Sequence, residues 1–481
     1  MSISYTVGET KARPGVYQRF SNTGNDPVPG AVDGICALPM QSNWGPVGKV
    51  VKVTSVNELH EIFGNEAYSA TNTVMAAEMM FNGGANTVYL YRMGTGGTAA
   101  SIQLNKATET PSVKIEALYP GTYALAVSLV PSVSDENTKT LSVYHGTTLL
   151  ESFSFDGDGT NDGKNLVAAV AAQGSDYITA SLVDDGTGAL DTVQVAAGAL
   201  ASGSDPSVDN DSYSAAFAAL EPFYYNCIAL DVDDDSSVSK SLLLATYLQN
   251  AYPNGKMAIG VVGEKTSVEL ATRMQHAKAF NSDMVVYLGN GYKTPAATYE
   301  GALAICYTAG VIASTPANAS IVHSVISGAT EPTETLTNAQ YSDAITSGML
   351  LLSMSKSGQM WYDSGINTLV TPDANQDEGW KKIRRVKTRF ELFYRIDLAL
   401  EPKVGKINCD ADGIGDVIQT AQRVIDTMAN EGKLLPGGTF TTDPNLPYGG
   451  DSAWFLIDVD DVDSLEKIYL HYRFRDRKSV V

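Results

Sequence analysis

The 481-residue chain has only four cysteines, Cys36, Cys227, Cys306 and Cys409, which lie far apart and form no C-x-x-C pair. That spacing indicates neither a zinc site nor a disulfide framework, and buried reduced thiols are expected. Histidine is as scarce, and His60, His145, His276, His323 and His471 each stand away from metal-ligand spacing with another His, Cys or Glu. No run approaches ~18 uninterrupted apolar residues, so no membrane insertion by this chain is expected. The opening MSISYTVGETKARPGVY lacks the apolar stretch of a signal peptide, and the expectation is a protein that stays where it is made. A G-x-S-x-G nucleophile elbow is missing too. Positive charge is also short: 33 Lys and Arg face 54 Asp and Glu, a formal charge of −21. Such a surface repels nucleic acid and anionic membranes as a whole. No catalytic residue, cofactor or metal is expected.

What the chain does have is a repeated strand–helix grammar. Tyr225–Val232, Met257–Val262 and Met284–Leu288 are apolar runs of strand length. Amphipathic stretches separate and follow them: Val238–Tyr252 after Ser236 and Ser237, a second opened by Thr266 and Glu269 at capping-box spacing, and a third over Tyr299–Ala313. This alternation predicts crossover units on a largely parallel, buried sheet. Gly34–Val56 reads as strand, turn at Trp44-Gly45-Pro46, strand; Val56–Phe63 and Thr73–Asn82 read as amphipathic pieces and Thr87–Met93 as a strand. The two blocks share one grammar and are joined into one scaffold.

Between them the composition changes. From Ala99 to Pro222 there are four Lys or Arg against sixteen Asp or Glu, a net of −12. Strand runs at Leu125–Pro131 and Thr140–Tyr144 alternate with DGDGTNDG and DDGTG turns, which reads as a β-rich insertion exposed on the outside. DGDGTNDG has the alternating acids of a calcium loop but lacks the closing glutamate, so an acidic turn is expected. Beyond the scaffold, Tyr341–Ser353 is expected to be helical and Ile366–Val370 a short strand.

Charge then reverses. Trp380–Lys406 carries nine Lys or Arg against three acids, and its periodicity suits a helix or, over WKKIRRVKT, a strand. Lys381, Lys382, Arg384, Arg385 and Lys387 are either a solvated face or a complement to an acidic neighbour. Asp416–Asn430 is an amphipathic helix, closed by Gly432. At both ends stand segments that need partners. Residues 1–34 are polar, with Gly15, Val16, Tyr17 and Phe20 in a candidate extended strand. At the other end Ile468, Leu470, Tyr472 and Phe474 alternate with polar or outward positions, period two. A strand without a partner is an aggregation edge, so pairing with a neighbouring molecule is expected.

The expected fold is therefore α/β: an open mixed sheet with flanking helices, an inserted β-rich domain, and extended N- and C-terminal arms. Its parts are an arm over 1–34, a core over 35–98 and 223–379, the insert over 99–222, and a C-terminal subdomain over 380–481.

One stretch resembles a catalytic motif. Asp231 and Asp233 follow an apolar strand in IALDVDDD, similar to the nucleophile strand of haloacid-dehalogenase-type phosphatases. Asp234 and Asp235 stand where that family wants a small loop and then Thr or Val. Four carboxylates in this loop would repel a phosphate. A similar string, LIDVDDVDS, recurs at Leu456–Ser464 in another context, which reads as a strand-exit habit. The alternative function is accordingly a cytosolic α/β phosphatase or hydrolase with Asp231 as nucleophile.

Ala12-Arg13-Pro14-Gly15-Val16-Tyr17 resembles the entry motif of contractile phage tail sheath proteins. The stretch from Gly34-Ile35-Cys36-Ala37-Leu38-Pro39 through Asn43-Trp44-Gly45-Pro46-Val47-Gly48 to Phe63-Gly64 is similar to the block that comes after this motif in that family. The likeness extends over nearly the whole chain, in order and character more than in letters, and is nearest to sheaths of Gram-positive prophages and phage-tail-like bacteriocins. It implies a structural subunit without enzymatic activity, stacked as rings around a tail tube, whose contraction drives the tube through a cell envelope. It also implies arms that add strands to a neighbour's sheet, an insert that decorates the outside, and a C-terminal helix facing the tube. Implied partners are further copies of the chain in rings and helices, a tail tube protein, and baseplate and tail terminator proteins. The implied place is a virion tail or bacteriocin particle assembled in the bacterial host cytoplasm. The basic cluster at Lys381–Lys387 is assigned by this reading to the tube or to a neighbouring sheath subunit.

Overall fold

The computed structural model describes residues 32–106, 109–133, 135, 137–233, 239–374 and 376–474. Gly15, Val16, Tyr17, Phe20, Ser236 and Ser237 lie outside the described residues. The described chain divides into two compact units, one of residues 32–391 with 461–474 and one of residues 392–460.

In the first unit seven strands form one sheet: β1 (Ile35–Met40), β2 (Val50–Val53), β3 (Thr87–Arg92), β4 (Cys227–Ala229), β5 (Ile259–Gly263), β6 (Val285–Leu288) and β7 (Met349–Leu350). Their order is β7-β6-β5-β4-β1-β3-β2, parallel throughout except for β2, which runs antiparallel to β3. Every residue of β4, β5 and β6 is buried. Successive side chains of a strand face opposite ways, so both faces of the sheet are covered, as a parallel sheet requires.

Helices α1 (Val56–Phe63), α2 (Val74–Asn82), α3 (Asn210–Leu220), α4 (Ser239–Ala251), α5 (Leu270–Phe280) and α6 (Ala302–Ser314) belong to the same unit. Ser55 caps α1 by accepting from the Glu58 amide. Gly83, just past α2, and Gly310, in α6, let two backbones meet: a Cβ on either would strike the other helix's carbonyls, Tyr307 O or Met80 O. Cys36, Cys227 and Cys306 are buried in this core, and burial pushes the Cys227 thiol up to about 12, as inert structural cysteines require.

Three local expectations are corrected. The helix expected over Tyr341–Ser353 spans Asn338–Thr346, because Gly348 turns left-handed (φ +80°) and the chain continues as β7. The strand expected at Ile366–Val370 is reduced to a single bridge between Ile366 and Lys382. The Thr266–Glu269 capping box is absent, because Thr266 donates instead to Glu300 across 2.9 Å.

Residues 101–182 build two three-stranded antiparallel sheets, one of Ser101–Asn105, Pro111–Ala117 and Ile178–Leu182, the other of Leu125–Pro131, Thr138–His145 and Thr148–Asp156. They enclose a hydrophobic cluster of their own. Where this region leaves and rejoins the scaffold, Thr95 and Ser207 exchange backbone hydrogen bonds of 3.0 Å. Helix α3, inside the range expected for the insert, buries Tyr213, Ala216, Phe217 and Leu220 in the scaffold's core instead.

Trp44, expected only to mark a turn, is 2% exposed and sits in the insert's cluster. Its ring lies 5.1 Å from Tyr119, 5.0 Å from Tyr123 and 5.9 Å from Tyr177, centroid to centroid. Gly45 (φ +97°) is required beside it, since a Cβ would strike the Phe63 ring. Arg92, fully buried, donates to Ser42 O and Pro120 O at 2.8 Å and to Gly45 O, tying the turn to the insert.

In the second unit the end of α7 (Ile383–Leu400), helix α8 (Ala411–Asn430) and a hairpin of β8 (Thr439–Thr442) and β9 (Phe455–Asp458) enclose Leu392, Ile396, Ala421, Val424, Ile425, Met428, Leu434 and Phe440. Arg395, 1% exposed, is held there by Glu431 at 3.0 and 2.8 Å. The division between the units falls inside α7.

The aromatic peg carries the first prediction. Trp44→Ala should cost ~3–5 kcal/mol, the range for truncating a buried aromatic. The measurement is the urea midpoint of the full chain, and an unchanged midpoint would show that Trp44 does not fasten the insert.

Candidate functional site

In an open α/β sheet, ligands bind at the carboxyl ends of the strands where the chain departs in opposite directions. Here that place lies between β1 and β4, and Asp231 follows β4 directly into it. Asp231 is 4% exposed. Its Oδ1 accepts from the Tyr213 hydroxyl at 2.8 Å; its Oδ2 accepts from the Thr73 hydroxyl at 2.9 Å and the Gln41 amide at 3.1 Å. Burial pushes the carboxyl above its ordinary range, against the pull of those three donors. Asp233 caps α6, its Oδ1 accepting from the Ala302 amide at 3.0 Å while Oδ2 meets Lys265 at 2.9 Å. Both carboxylates of the phosphatase-like string are thus committed to the scaffold, and side chains of the chain itself fill the approach to Asp231.

The calcium-like turn is satisfied in the same way. Asp162 is fully buried, and its Oδ2 takes the Lys139 ammonium at 2.7 Å and the Leu190 amide at 3.0 Å. Its Oδ1 accepts from the Gly159 amide at 2.8 Å. A lysine supplies the positive charge. Among the described residues no cluster of three or more His, Cys, Asp or Glu could hold a metal ion, and no helix is long and apolar enough to cross a membrane.

The basic cluster is not a free patch. Lys381 pairs with Glu378 at 2.8 Å. Lys382 meets Asp463 at 2.8 Å and Glu466 at 3.2 Å. Arg385 grips Asp461 with both ends of its fork, Nε to Oδ2 at 2.8 Å and Nη2 to Oδ1 at 2.6 Å. Arg389 reaches the same carboxylate at 3.4 Å while its guanidinium lies 3.9 Å from the Trp380 ring centroid. Arg384 and Lys387 are each 8% exposed. Lys387 donates to Ile312 O at 2.6 Å, to Ala313 O at 3.3 Å and to Thr315 O, closing the carboxyl end of α6, with Asp33 3.7 Å away.

Arg389, Asp461, Asp463 and Glu466 escaped the sequence reading. The available signal was LIDVDDVDS, whose acids come after the basic run in the same chain and could have been matched to it. Burial alone would raise the Asp461 carboxyl; the Arg385 fork and Arg389 outweigh it and hold it below the usual carboxylate range. Asp463 is held down likewise, burial being outweighed by Lys382 and the Ser464 amide.

Past this network the chain is bare. Leu465, Ile468, Leu470, Tyr472 and Phe474 are strongly exposed, Phe474 at 95%, and Ile468–Phe474 pairs with no strand among the described residues. The β8–β9 hairpin, for its part, has no third strand among the described residues. Two-stranded hairpins are marginal alone.

Comparison with known proteins agrees with this arrangement. Residues 34–93 match the family model for the tail sheath protein Gp18 domain III N-terminal region, and residues 207–366 match that for the phage tail sheath protein central domain. The phage-like element PBSX protein XkdK of Bacillus subtilis is 24% identical, covering 97% of this chain and 98% of that protein. Among solved structures, the sheath tail protein DSY3957 of Desulfitobacterium hafniense superposes with a TM-score of 0.74 at 20% identity, covering 96% of this chain and 100% of its own. The helical sheath of the anti-feeding prophage in its contracted state gives 0.56 at 12% identity, covering 96% and 99%.

Asp231 yields a pH prediction. A carboxyl whose folded pKa is raised stabilises the fold below its unfolded value, near ~3.9, and loses that contribution as pH rises through the folded value. The stability of the wild type relative to Asp231→Asn should therefore fall as pH rises above ~4. Urea midpoints of both proteins from acid to neutral pH test this; a difference that stays flat or grows would show that the three donors outweigh burial.

Proposed function

We propose that this chain belongs to the contractile phage tail sheath family as a structural subunit of a contractile sheath, and that it stacks as rings around a tail tube. Contraction of that stack drives the tube through a cell envelope. The comparisons support this role and not the phosphatase alternative, and we infer that the chain has no enzymatic activity. It is a component of a tail or tail-like particle, self-assembling and associated with a baseplate. A tail tube protein, a tail terminator and assembly in the host cytoplasm complete the reading.

The observation that carries the assembly reading is Ile468–Phe474, an alternating apolar segment left bare by its own chain. Burying it needs an edge on another molecule, and backbone pairing supplies one with register set by alternate side chains. The unaccompanied hairpin β8–β9 offers such an edge on each copy. Gly15, Val16, Tyr17 and Phe20 serve the same purpose at the other end. The acidic insert stands on the outer surface. With Lys382, Arg385 and Lys387 engaged inside the chain, tube contact falls to helix α8, whose positions Gln419 and Asp426 are exposed. A contact that must release on firing is best made small and electrostatic, since exposed ion pairs contribute only ~0.2–1 kcal/mol each.

Removing Met1–Phe20, or ending the chain before Ile468, should leave a folded subunit that forms no long rods. Electron microscopy and circular dichroism of the purified proteins decide this, and full-length rods from either truncation would refute the arm reading. In the same preparations wild type should show no magnesium-dependent hydrolysis of an aryl phosphate; turnover lost in Asp231→Asn would restore the phosphatase alternative.

A further inference from the structure

The basic start of α7 has a use that neither the tube nor a neighbouring subunit explains. Lys387 touches the last residues of the N-terminal arm, where it joins the core, and Lys382, Arg385 and Arg389 touch the segment just before the C-terminal one. On the N-terminal side, Val32 O accepts from Asn226 Nδ2 at 2.9 Å and Asp33 O from Asn86 Nδ2 at 2.9 Å. The Gly34 amide donates to Ala313 O at 2.9 Å, the same carbonyl that Lys387 reaches, and the Asp33 carboxylate lies 3.7 Å from the Lys387 ammonium. On the C-terminal side, Asp461 takes the Arg385 fork, Asp463 and Glu466 take the Lys382 ammonium, and Ser320 adds a 3.4 Å hydrogen bond to Glu466. The side chain of Asp461 is 9% exposed and that of Ile468, seven residues on, belongs to a residue 70% exposed. The chain passes from held to bare within those few residues. The helix to which both segments are tied is itself rooted in the core through Ile383, Val386 and Phe390.

We propose that Lys382 and the first two turns of α7 are the shared anchorage of both terminal arms, Lys387 fixing the departure of the N-terminal arm and Lys382, Arg385 and Arg389 that of the C-terminal arm. This rests on the reading that the arms pair with further copies of the chain. A pull from one neighbour then reaches the same rigid helix as a pull from another, and the arms keep fixed exit points while subunit contacts rearrange. Charged, bidentate contacts suit the task because they fix direction as well as position. Arg385, Arg389, Lys382 and Lys387 are positioning residues here; none needs to touch a neighbour.

The test uses the full chain. In Arg385→Glu, and separately in Asp461→Asn, amides of residues 461–467 should exchange with solvent about tenfold faster or more in the unassembled subunit, as loss of a charged hydrogen-bonded pair implies. Amides of β4, β5 and β6 should keep their protection, and Arg385→Lys should show an intermediate rate. Asp33→Asn should loosen the Gly34 amide without affecting residues 461–467. Rod formation should fall in Arg385→Glu and Asp461→Asn although both retain every arm residue. Unchanged exchange at 461–467 in either folded variant would overturn the anchorage, as would normal rods from a subunit whose anchor has been released. Should Arg385→Glu fail to fold, Asp461→Asn and Lys382→Gln carry the same readouts without reversing a charge. The arm truncations separate the two ideas: rods from a truncated chain refute the arms themselves, whereas rods from Arg385→Glu alone refute only their anchorage.

Discussion

The structure depends on covering a parallel sheet on both faces. β4, β5 and β6 expose nothing, so helices must pack against each side, and two of those helices, α2 and α6, meet at Gly83 and Gly310, where a side chain would not fit. The same constraint places the strands' carboxyl ends together at the boundary between β1 and β4. In many α/β proteins that boundary is where a ligand enters. Here Tyr213, Thr73 and Gln41 converge on Asp231, and Asp233 caps α6. The crevice has become a seam that joins β1, β4, α3 and α6. A carboxylate buried under three donors is poorly suited to nucleophilic attack, and its bonds give it a structural role.

Charge is managed by the same economy. The chain is strongly acidic, yet its densest basic run is spent within itself, on Asp33 at one end and Asp461, Asp463 and Glu466 at the other. The buried acid Asp162 receives Lys139. The excess of acids that remains, within a formal charge of −21, favours solubility through mutual repulsion of free chains. Apolar side chains left bare at Ile468–Phe474 are tolerable on such a surface only if a partner covers them.

The insert is fastened more firmly than an acidic, turn-rich appendage would suggest. Trp44 enters its core from the scaffold, and Arg92 bonds carbonyls on both sides of the joint. A tryptophan shared between two hydrophobic bodies makes their relative position a matter of packing.

Local pattern was enough for much of this. Short apolar runs bounded by polar caps foretold β4, β5 and β6, because burial on both faces leaves no alternation to misread. Leu125–Pro131 appeared with its observed limits, and α8 was legible from Asp416 to its observed end at Asn430. Failures came where a single residue or a distant partner decides. Gly348 ended a helix whose period continued past it, and Thr266 found Glu300 thirty-four positions away instead of the local capping bond. The amino-acid sequence by itself determined the α/β class, the acidic composition of the β-rich region and the alternating apolar pattern of Ile468–Phe474, since composition and period record which faces must be buried. Only the tertiary structure decided that Trp44 is a peg, that Asp231 is sealed, and that the basic run holds the chain's own acids. Ion pairs and ring stacks form between residues up to dozens or hundreds of positions apart, and spacing along the chain carries no record of which of many opposite charges will be brought within reach.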